Sequence, residues 1–151
     1  MPSNLGTRLI GVWKLLSWVE TPVDGSAERL PLGPHPSGII IYHPAGYVSA
    51  QLMRADRRSF ASGDWSAGTA AEYQAEATSY FAYCGPFRAD DDSQTVTHSA
   101  EVSLFPNWTG HVLRRQVVID EDLLRLSTVD PYVSSGERVH ACMTWKRAET
   151  S

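Results

Sequence analysis

The chain has 151 residues, of which 42% are hydrophobic and 20% charged, the balance of one soluble domain able to bury its own core. A net charge of -4 and a pI near 5.7 exclude the basic surface that a nucleic-acid partner requires, and no run of like charge offers a membrane patch. No stretch approaches the roughly 20 apolar residues of a membrane span, and Met1 to Arg8 contain no apolar signal segment, so a reducing cytoplasm is the expected location.

In chain order, Leu9–Glu20 reads as the first strand, with Leu9, Gly11, Trp13, Leu15, Ser17 and Val19 on one face. Residues 22–37 are rich in Pro and Gly and form a connection. Gly38–His43 and Tyr47–Arg54 are strands joined by a hairpin turn at Pro44-Ala45-Gly46, hence antiparallel. Residues 55–68 carry charges, Ser and Gly without periodicity and read as a loop. Thr69–Tyr80 then turns to Ala, Glu and Gln. Thr69 with Glu72 fits a capping box, and this is the one helix expected. Phe81–Arg88 follows as a strand, with Pro86 marking an edge or a bulge. After a solvated turn at Ala89–Ser93, Thr95–Leu104 is a strand that runs into an aromatic turn over Phe105–Gly110. His111–Ile119, Leu123–Thr128 and Arg138–Arg147 complete the set, separated by a turn at Asp120–Asp122 and a polar loop at Asp130–Glu137. About eight short strands and one short α-helix make an all-β antiparallel meander, which removes its edges by closing into a barrel. A barrel of that size either fills with side chains or holds one small ligand.

The strand Thr95–Leu104 supplies the leading functional candidate. Val96, His98, Ala100, Val102 and Leu104 share one face, so His98 sits in an apolar row where partial desolvation favours its neutral, basic form. That position suits a proton-transfer group, and equally a core histidine satisfied by a neighbouring hydroxyl. Tyr83 shares a face with Phe81, Gly85 and Phe87 and brings a phenol toward the lumen. Tyr80, at the helix end, faces the barrel mouth. Core packing is the alternative for both tyrosines. Arg115 alternates with Leu113 and Val117, which sets a guanidinium among apolar side chains, while Arg114 points to solvent. Such an arginine needs an anionic partner, either a carboxylate such as Glu101 or a ligand. In Tyr47–Arg54 either row fits an inner wall, and the row of Ser49, Gln51 and Met53 suits a lumen with few polar groups. Tyr42 and Ser103 are further ligand contacts, and Trp108 on the aromatic turn is a lid or a plug. Trp13 and Trp145 read as core.

Walker loop, GxSxG, HExxH and GxGxxG motifs are all absent, so no cofactor is expected. His35, His43, His98, His111 and His140 are scattered over loops and strands, so no metal is expected either. Cys84 and Cys142 form neither a CxxC pair nor a zinc spacing and read as buried thiols. An exposed edge beside Pro86 would support a homodimer.

The segments Leu9-Ile10-Gly11-Val12-Trp13-Lys14-Leu15, Pro31-Leu32-Gly33-Pro34, Gly38-Ile39-Ile40-Ile41-Tyr42, Gly46-Tyr47-Val48-Ser49 and Tyr80-Phe81-Ala82-Tyr83-Cys84-Gly85-Pro86-Phe87 occur in that order. Val96-Thr97-His98, Ser103-Leu104-Phe105-Pro106-Asn107-Trp108, Arg114-Arg115, Leu126-Ser127-Thr128 and Thr144-Trp145-Lys146-Arg147 follow. The ordered set resembles the bacterial lipocalin-like domain family over about residues 8–147. The resemblance implies a single-domain barrel spanning residues 1–151, closed or nearly so, and it implies no one activity. Barrels of related shape act as cyclases on reactive polyketide-like intermediates, an analogy of fold alone.

Three readings follow. The first is a cofactor-free biosynthetic enzyme of cyclase, isomerase or lyase type acting on a small, largely apolar or polyketide-like molecule. Preorganisation would supply much of its rate, His98 would move a proton, and Tyr83 and Arg115 would hydrogen-bond developing negative charge. The second is a carrier in which the same residues orient a ligand. The third is an interaction domain with a filled lumen.

Overall fold

A computed structural model describes residues 4–149. The elements are α1 (Leu5–Leu9), β1 (Gly11–Pro22), β2 (Ser37–His43), β3 (Tyr47–Met53), α2 (Ala70–Thr78), β4 (Tyr80–Asp90), β5 (Thr95–Ser99), β6 (Val102–Ser103), β7 (Val112–Asp120), β8 (Leu123–Thr128), β9 (Tyr132–Ser134) and β10 (Glu137–Arg147). Eight of the strands form one ring in the order β1-β2-β3-β4-β5-β7-β8-β10, and β10 pairs back onto β1. Every pairing is antiparallel. The short β6 pairs with β4 and the short β9 with β10. The expected all-β closed barrel is therefore the architecture. No helix among the described residues is long and apolar enough to cross a membrane.

The alternation of the strands explains the core. Trp13, Ile40, Val48, Val96, Val117, Leu124 and Trp145 point inward from successive strands and are almost wholly buried. One end of the barrel is sealed by α1. Asn4 caps this helix by accepting from the Thr7 N–H, and the Asp91 carboxylate accepts from the Leu5 N–H. Leu5 and Leu9 are buried beneath it, and the Trp13 indole donates to the Leu9 carbonyl. Leu9 thus ends a helix rather than beginning the first strand. Gly11, at φ 133°, makes the change of direction that a side chain would resist. The Arg147 guanidinium lies 4.0 Å from the Trp13 ring centroid and donates to the Arg8 and Ile10 carbonyls.

The predicted capping box is present at α2: Thr69 and Glu72 each accept from the other's backbone N–H. This helix buries none of its residues. Tyr73 turns to the preceding loop, where its hydroxyl meets the Gly68 N–H and the Trp65 carbonyl, and its ring packs on Phe60.

Two bulges decide which residues face inward. In β1 the register against β10 shifts between Leu15 and Ser17, so Trp18 and Glu20 turn in at the open end where alternation predicts Ser17 and Val19. The second bulge lies where β4 meets β5 and β6. Phe87 pairs with His98 but Cys84 pairs with Val102, so Ser99, Ala100 and Glu101 oppose only Gly85 and Pro86. The chains cross so closely there that a Cβ on Gly85 would lie 1.8 Å from the Ser99 carbonyl oxygen. The predicted continuous strand Thr95–Leu104 therefore breaks: Val96, His98 and Ala100 are buried, while Val102 and Leu104 are 63% and 46% exposed. Pro86 sits at this bulge, inside a closed ring, so the free edge invoked for a homodimer does not exist there.

Candidate functional site

His98 is opposed by Phe87 on β4 and Leu113 on β7, which aims its ring into the lumen, and it is fully buried. Its Nε2 lies 2.7 Å from the Tyr42 hydroxyl and its Nδ1 2.7 Å from the Tyr83 hydroxyl. A neutral imidazole has one N–H and one lone pair, so it donates to one phenol and accepts from the other. Burial, reinforced by the positive charge of Arg115, lowers the His98 pKa from 6.5 to about 3. Burial also raises the phenol pKa of Tyr42 far above its ordinary value. It raises that of Tyr83 too, against the opposing pull of Arg115. The three rings form a neutral, mutually satisfied chain. With both nitrogens engaged and so low a pKa, His98 is a poor proton acceptor at neutral pH.

Arg115 faces inward as its alternation predicts and is only 8% exposed. Glu101 stays on the outer row, where alternation from Ala100 puts it, and is exposed to solvent, so the carboxylate partner anticipated from the sequence is not there. Arg115 donates to the Arg114 carbonyl at 3.1 Å, and no carboxylate among the described residues lies within ion-pair distance of it. Arg115 borders a cavity of about 30 Å³, shared with Tyr83, Thr128, Met143, Trp18 and Trp145. At roughly 10–15 Å³ of such space per molecule, that is room for about two waters. His98 does not reach the cavity wall, because Tyr83 stands between. Two indole N–H groups of residues bordering this cavity, Trp18 Nε1 and Trp145 Nε1, are buried without a hydrogen-bond partner.

Above the cavity lies a broad open cleft bordered by Arg29, Leu30, Tyr80, Phe105 and Asn107. Trp18, Phe81, Trp108 and Tyr132 border both spaces and form the partition between them. Tyr132 is tied in place: its hydroxyl donates to the buried Glu20 carboxylate, which also accepts from Ser134 and lies 3.6 Å from Arg29 Nε. Burial and that carboxylate push the Tyr132 phenol pKa far upward.

Residues 10–148 match the family described as the lipocalin-like domain. The chain belongs to the lipocalin-like domain family. A protein of Aspergillus oryzae named 4'-hydroxy-3'-methoxypropiophenone carrier protein is 36% identical over 106 residues, which cover 66% of this chain and 96% of the relative.

Within this lipocalin-like barrel the residues singled out from the sequence separate into groups. His98, Tyr83 and Arg115 do converge, and Tyr42 joins them as the second partner of His98. Trp108 stands in the partition, its ring centroid 4.8 Å from Phe81 and 6.1 Å from Tyr83. Tyr80 borders the mouth cleft, although its hydroxyl turns away to Gln51. Ser49, Gln51 and Met53 are corrected to the outer face, because β3 lays Val48, Ala50 and Leu52 against the core, with Ala50 opposite Ile40. Ser103 lies opposite Tyr83 with its hydroxyl buried and unpartnered, off the cavity wall.

Cys84 and Cys142 are unpaired and only half-buried, where the sequence suggested full burial. His35, His43, His111 and His140 lie apart at exposed positions. Sequence reasoning missed Trp18, Glu20, Arg29 and Tyr132. A bulge hid the first two, and the others lie in connections without periodicity. Thr128 was accessible to it, since it continues the inward row of Leu124 and Leu126.

Proposed function

We propose that this lipocalin-like protein is a carrier that holds a small aromatic molecule in the mouth half of its barrel and returns it unchanged. The observation that carries this reading is the state of His98, buried behind Tyr83 with both nitrogens hydrogen-bonded and a pKa of about 3. A cyclase or isomerase needs a base that touches its substrate near its operating pH, and the cavity wall supplies none. Tyr83 and Arg115 remain able to orient an oxygen, and the rest of the wall is mostly apolar, as suits an aromatic ligand. The name of the Aspergillus oryzae relative supports the same class, a phenolic aryl ketone. A filled interaction domain is disfavoured by the unpaired donors and the buried cation on the wall.

The empty barrel has room for about two waters, so an aromatic ring enters only if the partition opens. Trp108, on a short turn of 3-10 helix at Pro106–Trp108, and the latched Tyr132 are the side chains that must give way. The test is a titration with 4'-hydroxy-3'-methoxypropiophenone, followed by tryptophan fluorescence, with chromatographic recovery of the compound. Saturable binding with unchanged compound, in wild type and in His98→Gln alike, is expected. Conversion that disappears in His98→Gln would replace carriage with catalysis, and failure to bind would leave the filled barrel.

A further inference from the structure

We infer that the barrel takes its aromatic ligand as an oxyanion, with an ionised phenolic oxygen seated against the Arg115 guanidinium. This rests on the reading of the barrel as a carrier site and goes on to name the chemical form that the site selects.

The buried polar groups around the cavity are unevenly matched. Those with capacity to spare are donors: the Arg115 guanidinium and the indole N–H groups of Trp145 and Trp18. The Trp18 N–H lies close enough to the Tyr132 oxygen to favour its ionised form, but without the geometry of a good hydrogen bond. The acceptors nearby are engaged. Thr128 Oγ1 accepts from the Ala141 N–H, the Tyr83 hydroxyl is held by His98 and lies against Arg115, and both Glu20 oxygens are taken by Tyr132 and Ser134. A ligand that complements this wall brings acceptors and no donors.

Charge points the same way. A cation that is 8% exposed, with no carboxylate within reach among the described residues, is costly in an empty barrel. The groups facing it are Tyr42, Tyr83, His98 and Tyr132, all of which feel its charge. None supplies a counter-charge at neutral pH, since burial opposes ionisation of each phenol and the imidazole is neutral. The one buried carboxylate among the described residues, Glu20, is bound to Tyr132 and spent on the mouth network with Arg29. The missing negative charge is left for the ligand to bring.

The proton balance is simple. The phenol O–H bond breaks, the phenolate oxygen stays against Arg115, and the proton leaves through the mouth to water. Below the ligand's own pKa, binding therefore releases a proton, and affinity rises with pH until that pKa is passed.

The experiment mixes wild type with 4'-hydroxy-3'-methoxypropiophenone one pH unit below the pKa of the free phenol and records the ultraviolet difference spectrum. The 4'-O-methyl ether, which cannot ionise, is titrated alongside. The phenolate band is expected on binding, with the ether bound about tenfold to a hundredfold more weakly. Arg115→Lys should keep the band, and Arg115→Gln should lose both the band and the preference for phenol over ether. Should either variant fail to fold, the wild-type spectrum and the ether comparison decide alone. A bound ligand with the spectrum of the neutral phenol, and an ether that binds equally well, would overturn the oxyanion while leaving carriage intact. Binding of neither compound would overturn both.

Discussion

His98 and Arg115 project from adjacent strands into one lumen, paired across the β5–β7 register with Leu113 and Val96, and both are buried. Yet their surroundings are built on opposite rules. Around His98 every polar atom of the Tyr42–His98–Tyr83 chain has a partner and the whole is neutral. Around Arg115, toward the mouth, a cation lacks a counter-ion and two indole donors lack acceptors among the described residues. Buried polar groups that satisfy one another rigidify a core, whereas buried groups left unsatisfied call for an explanation outside the chain. The contrast moves the functional emphasis from the histidine to the arginine: the first is satisfied by its neighbours, and in the proposed carrier the second is met by the ligand.

The comparison can be broken from its satisfied side first. His98→Phe removes both hydrogen bonds and strands two buried phenols, so it should cost about 2–6 kcal/mol in urea unfolding; an unchanged midpoint would remove the structural role. Titration sharpens the same point. The His98 pKa falls from 6.5 unfolded to about 3 folded, so between those values the unfolded chain binds a proton that the folded chain does not. The stability contribution is whole above about pH 6.5 and is lost as pH drops toward 3, at up to about 1.4 kcal/mol per unit. Urea midpoints of wild type minus those of His98→Gln should show this slope. The unsatisfied side should respond with the opposite sign. Arg115→Met is expected to stabilise the empty barrel by about 1–3 kcal/mol while weakening the ligand; a loss of stability would mean the guanidinium has partners after all. The smallest effect on stability is expected at Trp108→Ala, within about 1 kcal/mol. Stopped-flow association should nevertheless be faster, because one of the four side chains of the partition is gone.

Strand number, ring closure, the capping box at Thr69 and the inward aim of His98 and Arg115 were all legible, because each follows from period-two alternation or from local hydrogen-bond chemistry. What escaped depended on register. A bulge adds one residue without any signature of composition, yet it reverses the facing of all that follows. Trp18 and Glu20 thereby enter the mouth, and Val102 and Leu104 turn outward. Tyr42 and His98 are 56 residues apart in the chain and meet only through the closed ring. The row Ser49, Gln51 and Met53 failed for a different reason: its polarity was weighed as suited to a binding wall, when the apolar row Val48, Ala50 and Leu52 was the better core.

The indole N–H signals report directly where a ligand sits. In protein labelled with nitrogen-15 at its five tryptophans, the signals of Trp18 and Trp145 should move on addition of 4'-hydroxy-3'-methoxypropiophenone. Trp13, bonded to the Leu9 carbonyl at the sealed end, and Trp65, 85% exposed, should stay. Saturable binding that leaves Trp18 and Trp145 unmoved would place the ligand elsewhere and contradict the account.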